Sequence, residues 1–168
     1  MVKAPICSFC AKTGTLCPNC KLRLKNGEIS DIDIMVSKAI VNLEKKYNIE
    51  KKAKLKETIL VDNLVILLVD QKLKNTFINN PKMEKEVSDF IKKTIEVVVV
   101  EKNIKDTLST LFKPLEVIGV DQIFVPDGTQ ESKIRVKGKQ ENLMIPLDTL
   151  RMISEKVSES LIRIEFID

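Results

Sequence analysis

The spacing of apolar positions changes several times along the chain, and each change marks an element. Ser30, Asp31 and Asp33 read as a helix N-cap with an acidic first turn. Behind them Ile32, Met35, Val36, Ala39, Ile40, Leu43 and Tyr47 recur at steps of three and four. That spacing predicts one buried helix face over residues 31–47. Aliphatic and β-branched runs at 58–61 and 64–69 flank the turn pair Asp62-Asn63 and predict two successive strands. The second run is apolar on both faces, as a central strand is. A short segment, 71–78, leads to Asn80 as N-cap and Pro81 at the first helical position, with Met83, Val87, Phe90 and Ile91 on one helical face. Residues 97–100 then read as a buried strand.

The pattern beyond this point predicts another α+β set. Asn103 caps a helix to Phe112, with Ile104, Leu108 and Leu111 inward, and Lys113-Pro114 stops it. Residues 117–125 and 133–137 form a hairpin about the turn Pro126-Asp127-Gly128-Thr129. Pro146-Leu147-Asp148 opens a helix with Leu150, Ile153 and Val157 inward, and 161–167 close as a strand. The fold class is α+β. The expected division is a cysteine-bearing segment at 1–29, a first α+β domain at 30–102 and a second at 103–168. No repeat, linker or low-complexity segment is visible.

All four cysteines lie in the first segment as Cys7-Ser8-Phe9-Cys10 and Cys17-Pro18-Asn19-Cys20. Two residues between cysteines let one turn present both sulfurs to one ion while backbone N–H groups point at them, and the second pair completes a tetrahedral shell. A structural zinc ion is therefore expected as cofactor. A redox CxxC follows a strand in a βαβ pattern and does not come as a close duplicate. Paired disulfides suit secreted domains, whereas this chain opens without anything like a secretion signal. A catalytic zinc keeps an open position, usually beside histidine or carboxylate ligands, and the chain contains no histidine. With few apolar side chains around them, the knuckles depend on the metal for folding. Phe9, inside the first knuckle, is expected to cover the metal site.

Composition narrows the function. At 168 residues, 43% hydrophobic and 31% charged, the chain is expected to be a globular, cytoplasmic protein with a true core. Its longest apolar runs are strand-sized, so no membrane-spanning segment is expected. Without histidine the usual general base at neutral pH is missing, and no nucleophile motif or phosphate-binding glycine loop is present, so no catalysis and no small-molecule substrate are expected. Net charge is +4, and Lys3, Lys12, Lys21, Arg23 and Lys25 precede the first acidic residue, which makes the metal-binding segment a basic patch. Alternation along 133–137 puts Lys133, Arg135 and Lys137 on one strand face, an expected basic ladder beside Lys139.

The order helix, strand, strand, helix, tight loop, helix, strand resembles a type II KH domain. The stretches CSFCAKTGTLCPNC, KLRLKNGEISDIDI, VIGVDQIFVPDGT and LIRIEFID resemble the archaeal NusA-like KH proteins that carry an N-terminal four-cysteine zinc motif. The resemblance implies an RNA-binding factor linked to transcription elongation or termination. It also implies contact with RNA through the loop between the paired helices, which in KH domains is GxxG. Here that loop is Asn79-Asn80-Pro81-Lys82, so Asn79 and Lys82 replace both glycines and Pro81 lacks an N–H. Lys82 and Lys85 still bring positive charge to the helix start. The expected nucleic-acid contacts are Asn79, Asn80, Lys82, Lys85, Lys21, Arg23, Lys133, Arg135 and Lys137. The alternative is a module that docks on RNA polymerase or the ribosome and no longer clamps RNA. Phe77 and Phe90 fall at apolar helical positions, where core packing is expected.

Overall fold

In the computed structural model, which describes residues 1–168, the chain divides into two units, Met1–Val99 and Val100–Asp168. The first contains helices α1 (Ser8–Thr13), α2 (Pro18–Lys25) and α3 (Asp31–Leu43), strands β1 (Leu55–Val61) and β2 (Leu64–Val69), helices α4 (Gln71–Asn79) and α5 (Pro81–Ile91), and strand β3 (Thr94–Val99). The sheet runs β1-β2-β3, with β1 antiparallel and β2 parallel to its neighbour. A parallel pair requires a crossover, and α4 with α5 supplies it. β2 is the central strand, as its two-sided apolar pattern predicts. Val65, Leu67 and Val69 pack with Ile95, Val97 and Val99 beneath Val36 and Ile40 of α3, Leu73 and Phe77 of α4, and Met83, Val87 and Ile91 of α5. On the other face Ile59, Ile66, Leu68 and Val98 are buried as well.

The start of α3 is fixed by more than its cap. Ser30 and Asp33 form a reciprocal capping box. One Asp33 carboxylate oxygen accepts from Ser30 N at 2.9 Å and Ser30 Oγ at 2.8 Å. The other accepts from Thr58 N at 2.8 Å and Thr58 Oγ1 at 2.6 Å, which pins the buried carboxylate to β1. A polar group taken out of water is tolerable only when its hydrogen-bonding sites are filled in this way.

Two expectations about helix faces need correction. Met35 is exposed, and α3 ends at Leu43, four residues short of Tyr47. Beside the expected stripe the helix is buried along a second one, where Ile34 and Val41 pack with Ile6, Ala11 and Ile29 of the N-terminal segment. Tyr47 still lies against the core, and its hydroxyl donates to Glu86 Oε1 at 2.6 Å. Phe77 is buried, whereas Phe90 is half exposed, because Ile91 takes the inward place at the end of α5.

The second unit contains α6 (Ile104–Leu111), β4 (Glu116–Phe124), β5 (Gln130–Lys137), a 3-10 turn (Gln140–Asn142), α7 (Leu147–Ser158) and β6 (Leu161–Ile167). Its sheet runs β4-β5-β6, again with one antiparallel and one parallel pair. Leu108, Leu111, Phe112, Ile134, Val136, Leu150, Ile153 and Ile162 are its buried apolar side chains, together with Val117. α6 packs against β4 and α7 as α3 packs against β1 and α5. The two units therefore repeat one topology although no sequence repeat is visible. Where the first places α4 and α5 between its parallel strands, the second places the 3-10 turn and α7.

Candidate metal centre and nucleic-acid interface

Each CxxC opens a short helix. Cys7 is the N-cap of α1 and Cys10 lies in its first turn, and Cys17 and Cys20 hold the same places in α2, with Pro18 at the first helical position. The free first-turn amides of a helix point outward from its start, and here they meet sulfur. Cys20 N donates to Cys17 Sγ at 3.5 Å, and Cys17 N donates to Cys10 Sγ at 3.0 Å. The four sulfurs lie within 4.8 Å of one another, with Cys7 Sγ 3.3 Å from Cys10 Sγ and 4.0 Å from Cys17 Sγ. Zn–S bonds of about 2.3 Å make the edge of a tetrahedron about 3.8 Å, so the observed separations fit around one ion. None of the four cysteines is joined in a disulfide. Together they could hold a metal ion.

The cluster is half sunk into the fold. Cys10 and Cys20 are buried with Ile6, Ala11, Ile29, Ile34 and Val41, whereas Cys7 is exposed. Burial pushes the Cys10 thiol up to about 12. The Cys20 backbone N–H brings the Cys17 thiol down to about 7, and the Cys10 backbone N–H lowers Cys7 in the same way. At Cys20 a backbone hydrogen bond from Cys7 acts downward, but burial and neighbouring thiols outweigh it, so that thiol is raised. A cation among the sulfurs would favour all four thiolates. Further ties hold the segment in place. Lys38 Nζ donates to Gly14 O at 2.9 Å, Arg23 donates to Pro5 O at 2.7 Å, and Lys3 bridges in parallel to Lys54 beside β1.

The basic candidates divide by partner. Lys21 is exposed. Arg23 is occupied instead, bound to Pro5 O and ion-paired with Glu28 at 3.3 Å. Lys82 and Lys85 stand exposed on the first two turns of α5. Asn79 ends α4, and Asn80 alone separates the two helices. Neither asparagine takes the left-handed conformation. The Asn80 side chain makes no cap for α5; its amide turns back and donates to Thr76 O at 2.9 Å. Pro81 has no N–H, and Met83 N is already bonded to Asn80 O.

The basic ladder on β5 is corrected to a lattice of mixed sign. Lys133 pairs with Glu165 at 2.9 Å, and Arg135 pairs with Asp121 at 2.9 Å. Arg163 of β6 lies 3.6 Å from Glu131. Of the expected ladder, Lys137 remains exposed. The acidic partners sit on β4, β5 and β6, so no spacing within one strand reveals them. The same holds for a cleft of about 380 Å³ in the second unit, where Asp148 and Arg151 of α7 face Arg163 and Glu131. Phe9, expected to cover the metal site, is 61% exposed.

Fold and site together define an α+β chain with two small three-stranded sheets and a four-cysteine cluster able to hold a metal. No known family's sequence profile matches the chain, and no curated protein matches it. The fold is similar to that in the crystal structure of APE1850, with 16% identity and a TM-score of 0.56 over 76% of this chain and 95% of that one. At that identity the likeness speaks for the fold alone. No helix is long and apolar enough to cross a membrane.

Proposed function

We propose that the chain is a non-catalytic, RNA-binding accessory factor of the transcription machinery, of the NusA-like kind, and that its four thiolates hold one structural zinc ion. The observation that carries this reading is the order α3-β1-β2-α4-α5-β3, with a parallel β2–β3 pair bridged by two helices that meet at Asn80. That order is the one a type II KH module has, and it stands directly behind a four-cysteine segment. Zinc suits a closed set of four soft sulfur donors better than the harder divalent ions do. Of the expected contacts, Lys82 and Lys85 at the start of α5 and Lys21 on α2 are exposed lysines of the first unit that would neutralise phosphates.

A binding titration of single-stranded RNA at several salt concentrations tests the reading. Three phosphate contacts predict that log K falls with log salt at a slope of about −2. Lys82→Glu should weaken binding and flatten that slope by about 1. Absence of binding at low salt would sink the reading.

A second reading is favoured by the loop itself. With Pro81 in place of an N–H donor and the Asn80 side chain folded back onto α4, the helix junction offers phosphate little of what a glycine loop offers. On this reading the unit docks on RNA polymerase or the ribosome through protein contacts. A stoichiometric protein partner that survives nuclease treatment, with no RNA affinity in the purified chain, would select it.

A further inference from the structure

Phe9 is a large apolar side chain held out in solvent by a rigid mount. Its helix, α1, is fixed at its start by the Cys7 and Cys10 sulfurs and at its end by Gly14, whose N–H returns to Cys10 O at 3.0 Å. Cys10 and Ala11 face inward against Ile34 and Val41, so the helix cannot turn to bury the ring. Thr13 Oγ1 donates to Phe9 O at 2.9 Å and tightens the same turn. Lys12 lies three residues on, adjacent to Phe9 on the helix surface. On α2, Lys21 and Lys25 are exposed four residues apart. No acidic residue occurs before Glu28, which Arg23 engages.

We propose that Phe9 is a stacking platform for one base of a single-stranded RNA, with Lys12, Lys21 and Lys25 meeting the phosphates that flank it. The inference rests on the RNA-binding reading above and assigns it a contact that the helix junction does not provide. Charge complementarity calls for a polyanion: residues 1–27 carry five cations and no carboxylate, although Lys12 also lines a cleft that holds Glu44 and Glu50 beside Lys45 and Lys51. An aromatic ring beside Lys12, on a segment this basic, suits a nucleobase in particular. Every base has a π-face to stack, whereas an acidic protein surface would set charged side chains against the ring. A mount fixed before binding also spares the ordering cost that a flexible loop would add.

The test uses the full, metal-loaded chain and a labelled single-stranded oligoadenylate read by fluorescence anisotropy. Phe9→Ala should weaken binding by about tenfold to a hundredfold, the loss of one base–aromatic stack. Phe9→Trp should retain the affinity, and Phe9→Leu should lose it as Phe9→Ala does. Because the ring is exposed, metal content and circular dichroism should match the parent in all three variants. If the parent binds and Phe9→Ala binds equally well, stacking is overturned while the RNA-binding reading stands. If Phe9→Leu retains what Phe9→Ala loses, the ring is an apolar contact for a protein surface, and stacking is again overturned. A parent with no affinity at low salt overturns both.

Discussion

Between β2 and β3 the first unit places two helices that meet at Asn80, whereas between β5 and β6 the second places a 3-10 turn and one helix. Strand order and strand sense are otherwise the same. The sheets differ more in the faces opposite their helices. In the first unit Ile59, Ile66, Leu68 and Val98 are buried there. In the second, Asp121, Glu131, Lys133, Arg135, Arg163 and Glu165 form a lattice of alternating charge. One backbone plan thus carries a buried apolar second face in one unit and a charged one in the other. The crossover and the sheet face can change because the plan needs only one apolar face and a right-sized bridge between parallel strands. The sulfur cluster that could hold a metal ion lies in the first unit.

The comparison breaks most visibly at the cysteines. Cys10→Ser should abolish metal retention, release residues 1–29 to fast hydrogen exchange and expose Ile34 and Val41, while amides of the second unit keep their protection. Structural zinc contributes about 10 kcal/mol or more in small four-ligand sites, so this is the largest effect expected. Acid should act in the same direction. Coordination requires thiolates and binding releases protons, so metal affinity falls as pH falls. A variant that loses the metal yet keeps the first segment protected would show that packing on α3 suffices alone.

The polar pins of the two units should differ in strength. Asp33→Ala leaves the buried donors of Thr58 and the half-buried donors of Ser30 without an acceptor and should cost about 2–4 kcal/mol in urea unfolding. Arg135→Met removes an ion pair whose side chains are 39% and 51% exposed, and should change stability by less than about 1 kcal/mol. Equal effects would mean that the charged face of the second sheet is less well solvated than its exposure indicates.

The sequence made local features legible and left tertiary ones hidden. Capping at Ser30, the turn at Asp62-Asn63, the two-sided apolar run of β2 and the boundaries of β6 depend on neighbours in the chain, and each is present. The cysteine spacing likewise placed all four sulfurs in one cluster. The bond from Thr58 to Asp33, the Asp121 and Glu165 partners of β5 and the second buried stripe of α3 depend on segments distant in sequence, and no period could announce them. Phe90 misled because the buried stripe of α5 runs Met83, Val87, Ile91, and Phe90 falls on its edge away from Ile91. The repeated topology stayed hidden because the second unit replaces one crossover helix with a 3-10 turn, so the helical pattern that would betray it is missing.

The central claim is a metal-gripped, basic knob built on α3. Elemental analysis of the chain purified without chelator, paired with thiol counting by mass spectrometry, tests it most directly. The account predicts one zinc ion per chain and four unoxidised cysteines after the metal is removed. Protein that carries no metal, or whose thiols are joined in pairs, would contradict it.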